Sequence, residues 1–592
     1  LPAWRKFRPK AARRRRTAID SEFFRQCLPF ARGEVAADLV IRNARLANVF
    51  SLEYEQADVA VARGIIVGVG KGYVGVETVD ASGKVLMPGM IDGHVHVESS
   101  LLTPRRFAEA VVPLGTAAVM ADPHEIANVW GKVGIAAMQQ NAQGLSMDFF
   151  WAAPSCVPAS DFETCREPLA ASELSALFEQ GLCQHLGEMM NFPAVIAGNA
   201  DAWSKIAAAG DRPLTGHSPG VGGKDLCAYL LSGCQADHET VGYAEGLEKL
   251  RRGGWLMMRA GAASNDLLAL APLVIENPLR AARCMVVSDD VTPTAIMKDG
   301  YMDAKMRAMC SLGIDPLVAL RMVTLTPAEY FGLPRRGGIA PGWLADMVLV
   351  DSLESCRVDR VWKAGKLVAE AGRVSQQFDR TFAAGPATSQ QPLSPAAIQL
   401  AAPPEKTIIR LIGWQKGSLL TQSLTAAAKI VKGQVVADPG QDIAKLVVQE
   451  RNGNSGETAV GFVKGLGLRR GALGASVAHD AHPFVVAGAD DLSILTALAW
   501  LREQGGGLVA CEGETILACL PLPVAGLMSD SPLTVVAGAL KIVDQAAGGL
   551  GLIGDHPCMA LSFLSLSVIP SLKLTDQGYV DLAQGGRQDL FV

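Results

Sequence analysis

At 592 residues, 49% apolar and 19% charged, the chain has the composition of a compact globular enzyme and the length of two or three domains. A formal net charge of -5 gives no global field for nucleic acid or an anionic membrane, and no apolar run is long enough to span a bilayer. Twelve scattered cysteines, without one C-x-x-C pair, fit reduced thiols of a cytoplasmic protein better than a disulfide framework or a structural zinc site.

The chain opens on a basic, acid-free head: Arg5, Lys6, Arg8, Lys10 and Arg13 to Arg16. We read residues 1–34 as a solvated, poorly ordered segment without a function of its own. Short strands follow at Leu39-Val40-Ile41, Val59-Ala60-Val61, Ile65-Ile66-Val67 and Lys84-Val85-Leu86, with Gly, Asn and Asp between them. They predict a small β-domain over 35–87. Over 88–337 apolar strands alternate with helical stretches, and strand ends are expected near His94, Met120, Ser155, Gly187, Thr215, Ala236, Arg259 and Val287. Eight β/α units in that length predict a closed (β/α)₈ barrel. Strands resume over 338–376 and are expected to complete the first β-domain as a composite sandwich. Residues 377–406, rich in Ala, Pro, Ser and Gln, read as a linker, and 407–592 as a separate α+β domain.

Of nine histidines, His94 and His96 fall after the first barrel strand, His217 after the fifth and His238 after the sixth, while Glu188 follows the fourth and Asp289 the eighth. Barrel active sites are built from those strand ends, so six dispersed residues can meet in one place. Side chains at i and i+2 of a strand share a face, which aims His94 and His96 together. A single H-x-H is a weak signal, and a lone histidine is more often a packed or surface residue. Four imidazoles and two carboxylates at successive strand ends predict a metal site, one that accepts Mn, Fe or Zn.

The run Pro88-Gly-Met-Ile-Asp-Gly-His-Val-His-Val-Glu-Ser-Ser100 resembles the opening metal motif of amidohydrolases, and its Glu-Ser-Ser ending is similar to adenine deaminases. Further stretches agree, among them Ala121-Asp-Pro-His-Glu-Ile-Ala-Asn128, Gly187-Glu-Met-Met-Asn-Phe-Pro193, Gly216-His-Ser-Pro-Gly220, Asp237-His-Glu239, Val477-Ala-His-Asp-Ala-His482 and Pro523-Val-Ala-Gly-Leu-Met-Ser529. The resemblance implies hydrolysis of adenine to hypoxanthine and ammonia at two divalent metals, Mn or Fe first and Zn as a further option, in a homodimer. It places His94, His96 and Asp289 on one metal, His217 and His238 on the other, and Glu188 between them. It also places Glu98, Asp122, His124, Asn191 and Asp290 beside the substrate.

Asp289 is then the group that moves the proton of the attacking water. Many deaminases of the superfamily carry a His-x-x-Glu whose Glu protonates the ring. Here Ser-Pro-Gly follows His217, so Glu239 is the replacement candidate and Glu98 the next. His96-Val97-Glu98 mimics half of the cytidine-deaminase zinc signature, but the cysteine half is missing. A cyclic amidohydrolase cleaving a ring C–N bond, and a non-catalytic barrel, are the rival readings. His479, Asp480 and His482 are expected to form a loop closing the barrel mouth, without a metal.

Overall fold

The computed structural model describes residues 21–261, 264–375, 381, 382, 385, 393–405, 407–418, 420–453, 455–554 and 556–592. The basic head at 5–16 and most of the expected linker lie outside the described residues. Among the described residues, no helix is long and apolar enough to cross a membrane.

Parallel strands Met90–His96, Thr116–Ala121, Asp148–Ala153, His185–Met189, Leu214–Gly216, Ala236–Asp237, Trp255–Arg259 and Cys284–Val287 stand side by side in chain order. The two-residue strand Asp289–Asp290 pairs back onto the first, with Asp289 opposite Val95 and Asp290 opposite His96, and so nearly closes the barrel. Strands such as Thr116–Ala121 and Cys284–Val287 are buried at every position. Helices cover their outer face and side chains fill the inner one, which is why these runs are continuously apolar. Helices begin where the local chemistry favours it: Pro293–Asp299 has Pro at its first position and Thr292 as its cap, accepting the Ala295 N–H at 3.2 Å.

Both flanks of the barrel contribute to a nine-stranded sheet. The join is the strand Val85–Pro88, which pairs in parallel with Ala37–Asn48 and antiparallel with Met347–Val350. Leu39, Ile41, Val59, Met347 and Trp362 form its core.

The terminal segment departs from its expectation. Ser21–Ala31 is a helix, and Phe23, Phe24, Cys27 and Phe30 pack against Val40, Ala60 and Val67 of the sheet. The apolar residues recur at helical spacing, a signal that the basic residues upstream obscure.

The C-terminal unit is built on an eight-stranded mixed sheet. Helix Asp491–Glu503 packs Ile494, Ala497, Leu498 and Leu501 on it, and Asp490 caps the helix by accepting the Ser493 N–H at 2.8 Å. The unit starts earlier than the composition suggests: Ile398 is fully buried in the same core, and Leu400 O accepts the Val435 N–H at 2.8 Å. Polar bonds fasten this unit to the barrel. Arg105 Nη2 donates to Asp530 Oδ2 at 2.7 Å, Thr103 Oγ1 to Asp530 Oδ1 at 2.8 Å, and Arg166 Nη1 to Asn452 O at 2.9 Å. The loop 477–482 lies at the C-terminal ends of the barrel strands, with His479 Nδ1 3.3 Å from Glu125 Oε1 and Asp480 Oδ1 3.8 Å from His124 Nε2.

Candidate metal centre

Glu188, at the end of the fourth strand, sits at the middle of the cluster. Its Oε1 lies 3.3 Å from His96 Nε2 and 3.9 Å from His94 Nε2, and its Oε2 lies 2.8 Å from His217 Nδ1 and 3.1 Å from His238 Nε2. One carboxylate thus faces two pairs of imidazoles with separate oxygens. Asp289 Oδ1 joins the first pair, 3.6 Å from His94 Nε2 and 3.3 Å from His96 Nε2.

The backbone around these residues is set by neighbouring carboxylates. Asp122 Oδ2 accepts the Glu188 N–H at 2.9 Å, and a Cβ on Gly187 would meet the same oxygen at 2.4 Å, so glycine is required there. Asp92 Oδ1 accepts the N–H of both His94, at 3.1 Å, and Ser288, at 3.2 Å, while Tyr301 OH donates to its Oδ2 at 2.5 Å. This ties the first strand to the eighth. Asp289 has a φ of 59°, the left-handed region that non-glycine residues seldom adopt, and its carboxylate is turned into the cluster.

The donor set fits a divalent cation. The Asp122 carbonyl oxygen lies 3.0 Å from His96 Nδ1, so the ring proton sits there and the Nε2 lone pair faces Asp289 and Glu188. His94 Nε2 is buried without a hydrogen-bond partner. Burial works against charge at every one of these groups, yet His238, His217 and His96 hold Glu188 well below the usual carboxylate range. Asp289 is likewise held low, by His94 and His96. Against the same burial, Glu188 and Asp289 push His238 up to about 9. Anionic oxygens and imidazole nitrogens converging within 4.8 Å in the sets His94, His96, Asp289 and His94, Glu188, His238 are the ligands that Mn, Fe and Zn share.

The remaining expected residues divide. His124 is brought in, with Nδ1 3.4 Å from Glu188 Oε1 and 3.7 Å from Asp122 Oδ1. Glu98 is fully buried nearby; its Oε1 accepts the Ile126 N–H at 3.2 Å and its Oε2 has no partner. Burial and the neighbouring Glu125 charge push its carboxyl up to about 8. Asp290 lies beside Asp289 with Oδ1 unpartnered, pushed up to about 6 by burial against the opposing pull of His479. Glu239 reaches the edge of the cluster, its Oε1 3.7 Å from His238 Nε2, but it is engaged in an ion pair with Arg259 Nη1. Asn191 is not brought in. It is exposed and caps the short helix Phe192–Ile196, accepting the Ala194 N–H at 3.2 Å.

Sequence reasoning missed Arg259, which ends the seventh strand and lies 3.6 Å from Asp289 Oδ2 and 2.8 Å from Asp266 Oδ2. A buried arginine at a barrel strand end was the available signal. It also missed Lys249, whose Nζ donates to Asp237 Oδ2 behind the second histidine pair. Nothing in the pattern of that surface-like helix marks a buried lysine.

A barrel with this constellation at its strand ends defines a hydrolase of the amidohydrolase class, and the amidohydrolase family model matches residues 85–368. The model of the adenine deaminase C-terminal domain matches residues 418–585. The adenine deaminase of Syntrophobacter fumaroxidans is 42% identical over 562 residues, 95% of this chain and 97% of that protein. That of Nitratidesulfovibrio vulgaris is 44% identical over 561 residues, 93% of this chain and 96% of its own. The chain belongs to the adenine deaminase family. A solved β-aspartyl dipeptidase from Fervidobacterium islandicum AW-1 is 17% identical, with a TM-score of 0.43 over 58% of this chain and 100% of that one.

Proposed function

We propose that this chain hydrolyses adenine to hypoxanthine and ammonia, with two divalent metals, Mn or Fe by preference and Zn by ligand chemistry, held by His94, His96, Asp289, His217, His238 and Glu188. The observation that carries the reading is the division of Glu188, one oxygen toward His94 and His96 and the other toward His217 and His238. When bound, the metals polarise water and lower its pKa from about 15.7 toward 7.

The protein's own groups supply the rest. Asp289, strongly anionic and on the face of the cluster, takes a proton from the attacking water and delivers it to the departing amino nitrogen. Glu98 gives the proton that the purine ring needs for addition at C6. We assign that role to Glu98 ahead of Glu239, because Arg259 occupies the Glu239 carboxylate whereas Glu98 Oε2 is buried with no partner. Asp122 fixes the Glu188 backbone, and Asp92 fixes the spacing of the first and eighth strands.

The test is to incubate metal-replete protein with adenine, other aminopurines, hydantoin and dihydroorotate, and to follow ammonia release. Adenine should yield hypoxanthine and ammonia in equal amounts. Turnover of the cyclic amides with adenine inert would overturn the reading.

A further inference from the structure

The loop 477–482 carries two imidazoles and a carboxylate across the barrel mouth, and the three residues do different things. His482 is fully buried, and its Nδ1 accepts the Ala478 N–H at 3.0 Å. Its proton therefore sits on Nε2, which faces Glu125 Oε2 at 3.8 Å and has no lone pair to offer. The trio Glu125, His479 and His482 has ligand atoms within 4.8 Å of one another, yet this tautomer disqualifies it as a further metal site. His482 pins the loop, and its carbonyl accepts Arg451 Nε.

His479 and Asp480 face the chemistry instead. The His479 ring stacks on Phe563, with centroids 4.8 Å apart and planes 10° from parallel, and its Nδ1 lies 3.3 Å from Glu125 Oε1. Against the cost of burial, Asp290 and Glu125 push it up to about 10, and two carboxylates, Glu125 and Asp480, within 4 Å of Nδ1 favour the imidazolium form, whose second donor is Nε2–H. Asp480 Oδ1 lies 3.9 Å from His479 Nδ1 and 3.8 Å from His124 Nε2, and His124 Nδ1 is 3.4 Å from Glu188 Oε1. A single imidazole thus separates Asp480 from the centre of the metal cluster. Its Oδ2 is buried and has no hydrogen-bond partner. Like Glu98 Oε2 and Asp290 Oδ1 in the same site, it is a buried carboxylate oxygen left bare, which marks the place of a missing donor.

Asp480 as acceptor and, on the preceding residue, the His479 ring, whose Nδ1 faces Glu125 and whose Nε2 is the remaining donor, suit a ring edge that carries an N–H next to a nitrogen lone pair. Free adenine has such an edge at N9–H and N3, and a nucleoside has lost it, because N9 bears the sugar. We propose that Asp480 accepts the N9–H and His479 donates to N3, so that the C-terminal unit reads the free edge of the base and selects adenine over its N9-substituted forms. The inference rests on the adenine deaminase reading above and adds its specificity-determining residues.

The experiment compares kcat/KM for adenine and 9-methyladenine in the metal-loaded full chain and its Asp480→Asn and Asp480→Ala variants. Equilibrium binding of hypoxanthine and 9-methylhypoxanthine, metal content and melting temperature are measured on the same preparations. 9-Methyladenine has no N9–H and gains nothing from Asp480. The loss in the variants should therefore fall on adenine, by about 10- to 100-fold for a charged hydrogen bond, and the adenine to 9-methyladenine ratio should shrink by the same factor. Hypoxanthine affinity should fall in step while metal content holds. If Asp480→Ala does not fold, the isosteric Asp480→Asn decides. A ratio that stays constant while both substrates lose equally overturns the clamp and leaves the deaminase reading standing. A wild-type protein inert towards adenine overturns both.

Discussion

Lys249 Nζ lies 2.9 Å from Asp237 Oδ2 in a buried ion pair directly behind the second pair of histidines. The same ammonium donates to Ser218 O at 2.8 Å and Thr240 Oγ1 at 3.0 Å, while Asp237 Oδ1 accepts the Ser218 N–H at 2.6 Å. Ser218 follows His217 and Asp237 precedes His238, so this one pair sets the distance between the two imidazoles. Lys249→Met leaves Asp237 buried and unpaired, which costs about 3–5 kcal/mol. Melting temperature and metal content should fall together in that variant. A protein that melts lower but binds its full metal complement would show that the pair serves stability alone.

The two carboxylates of the cluster have separable roles. Glu188→Gln removes the charge shared between the histidine pairs, so metal content should drop and excess Mn should restore part of the activity. Asp289→Asn keeps shape and one oxygen ligand but loses the base, at a cost of about 10²–10⁴-fold in kcat. It should stay slow with both metals bound. Rescue of Asp289→Asn by saturating metal, with Glu188→Gln dead, would mean that the roles are reversed.

Removal of metal by a chelator should abolish activity, and titration of Mn into the stripped protein should restore it in proportion up to about two equivalents per chain, as a bridged pair requires. Full recovery at one equivalent, measured by metal analysis of the active fraction, would establish a mononuclear site.

The seam between barrel and C-terminal unit carries a pH dependence. Glu163 is buried there, and Ser567 donates its backbone N–H to Glu163 Oε1 at 3.1 Å. Burial, with Asp480 nearby, pushes its carboxyl up to about 8. Between the unfolded value, about 4.3, and about 8 the folded protein holds a proton that the unfolded chain has released. Its contribution to stability is therefore complete below that window and declines as pH rises through it, by up to about 1.4 kcal/mol per unit. Denaturant midpoints of the metal-loaded protein at pH 6 and pH 8 should differ by less in Glu163→Gln than in the wild type. An equal pH dependence in both would exclude Glu163 as its source.

The sequence by itself determined the barrel, the order of its strands and the six residues of the cluster. Each of those follows from local periodicity: His94 and His96 share a face because a strand repeats every two residues, and strand ends are where a (β/α)₈ barrel keeps its chemistry. Tertiary structure alone decided the pairings that local period does not encode. Asn191 shares a motif with Glu188, yet the chain turns after Met189 into a helix that claims its side chain as a cap. Glu239 adjoins His238, but the end of the next strand delivers Arg259 to its carboxylate. Asp480 reaches His124, and Glu163 meets Ser567 across 404 residues of chain, only because the C-terminal unit docks on the barrel mouth. Contacts between units far apart in the chain depend on how their surfaces fit, and that fit leaves no repeat in the sequence to read.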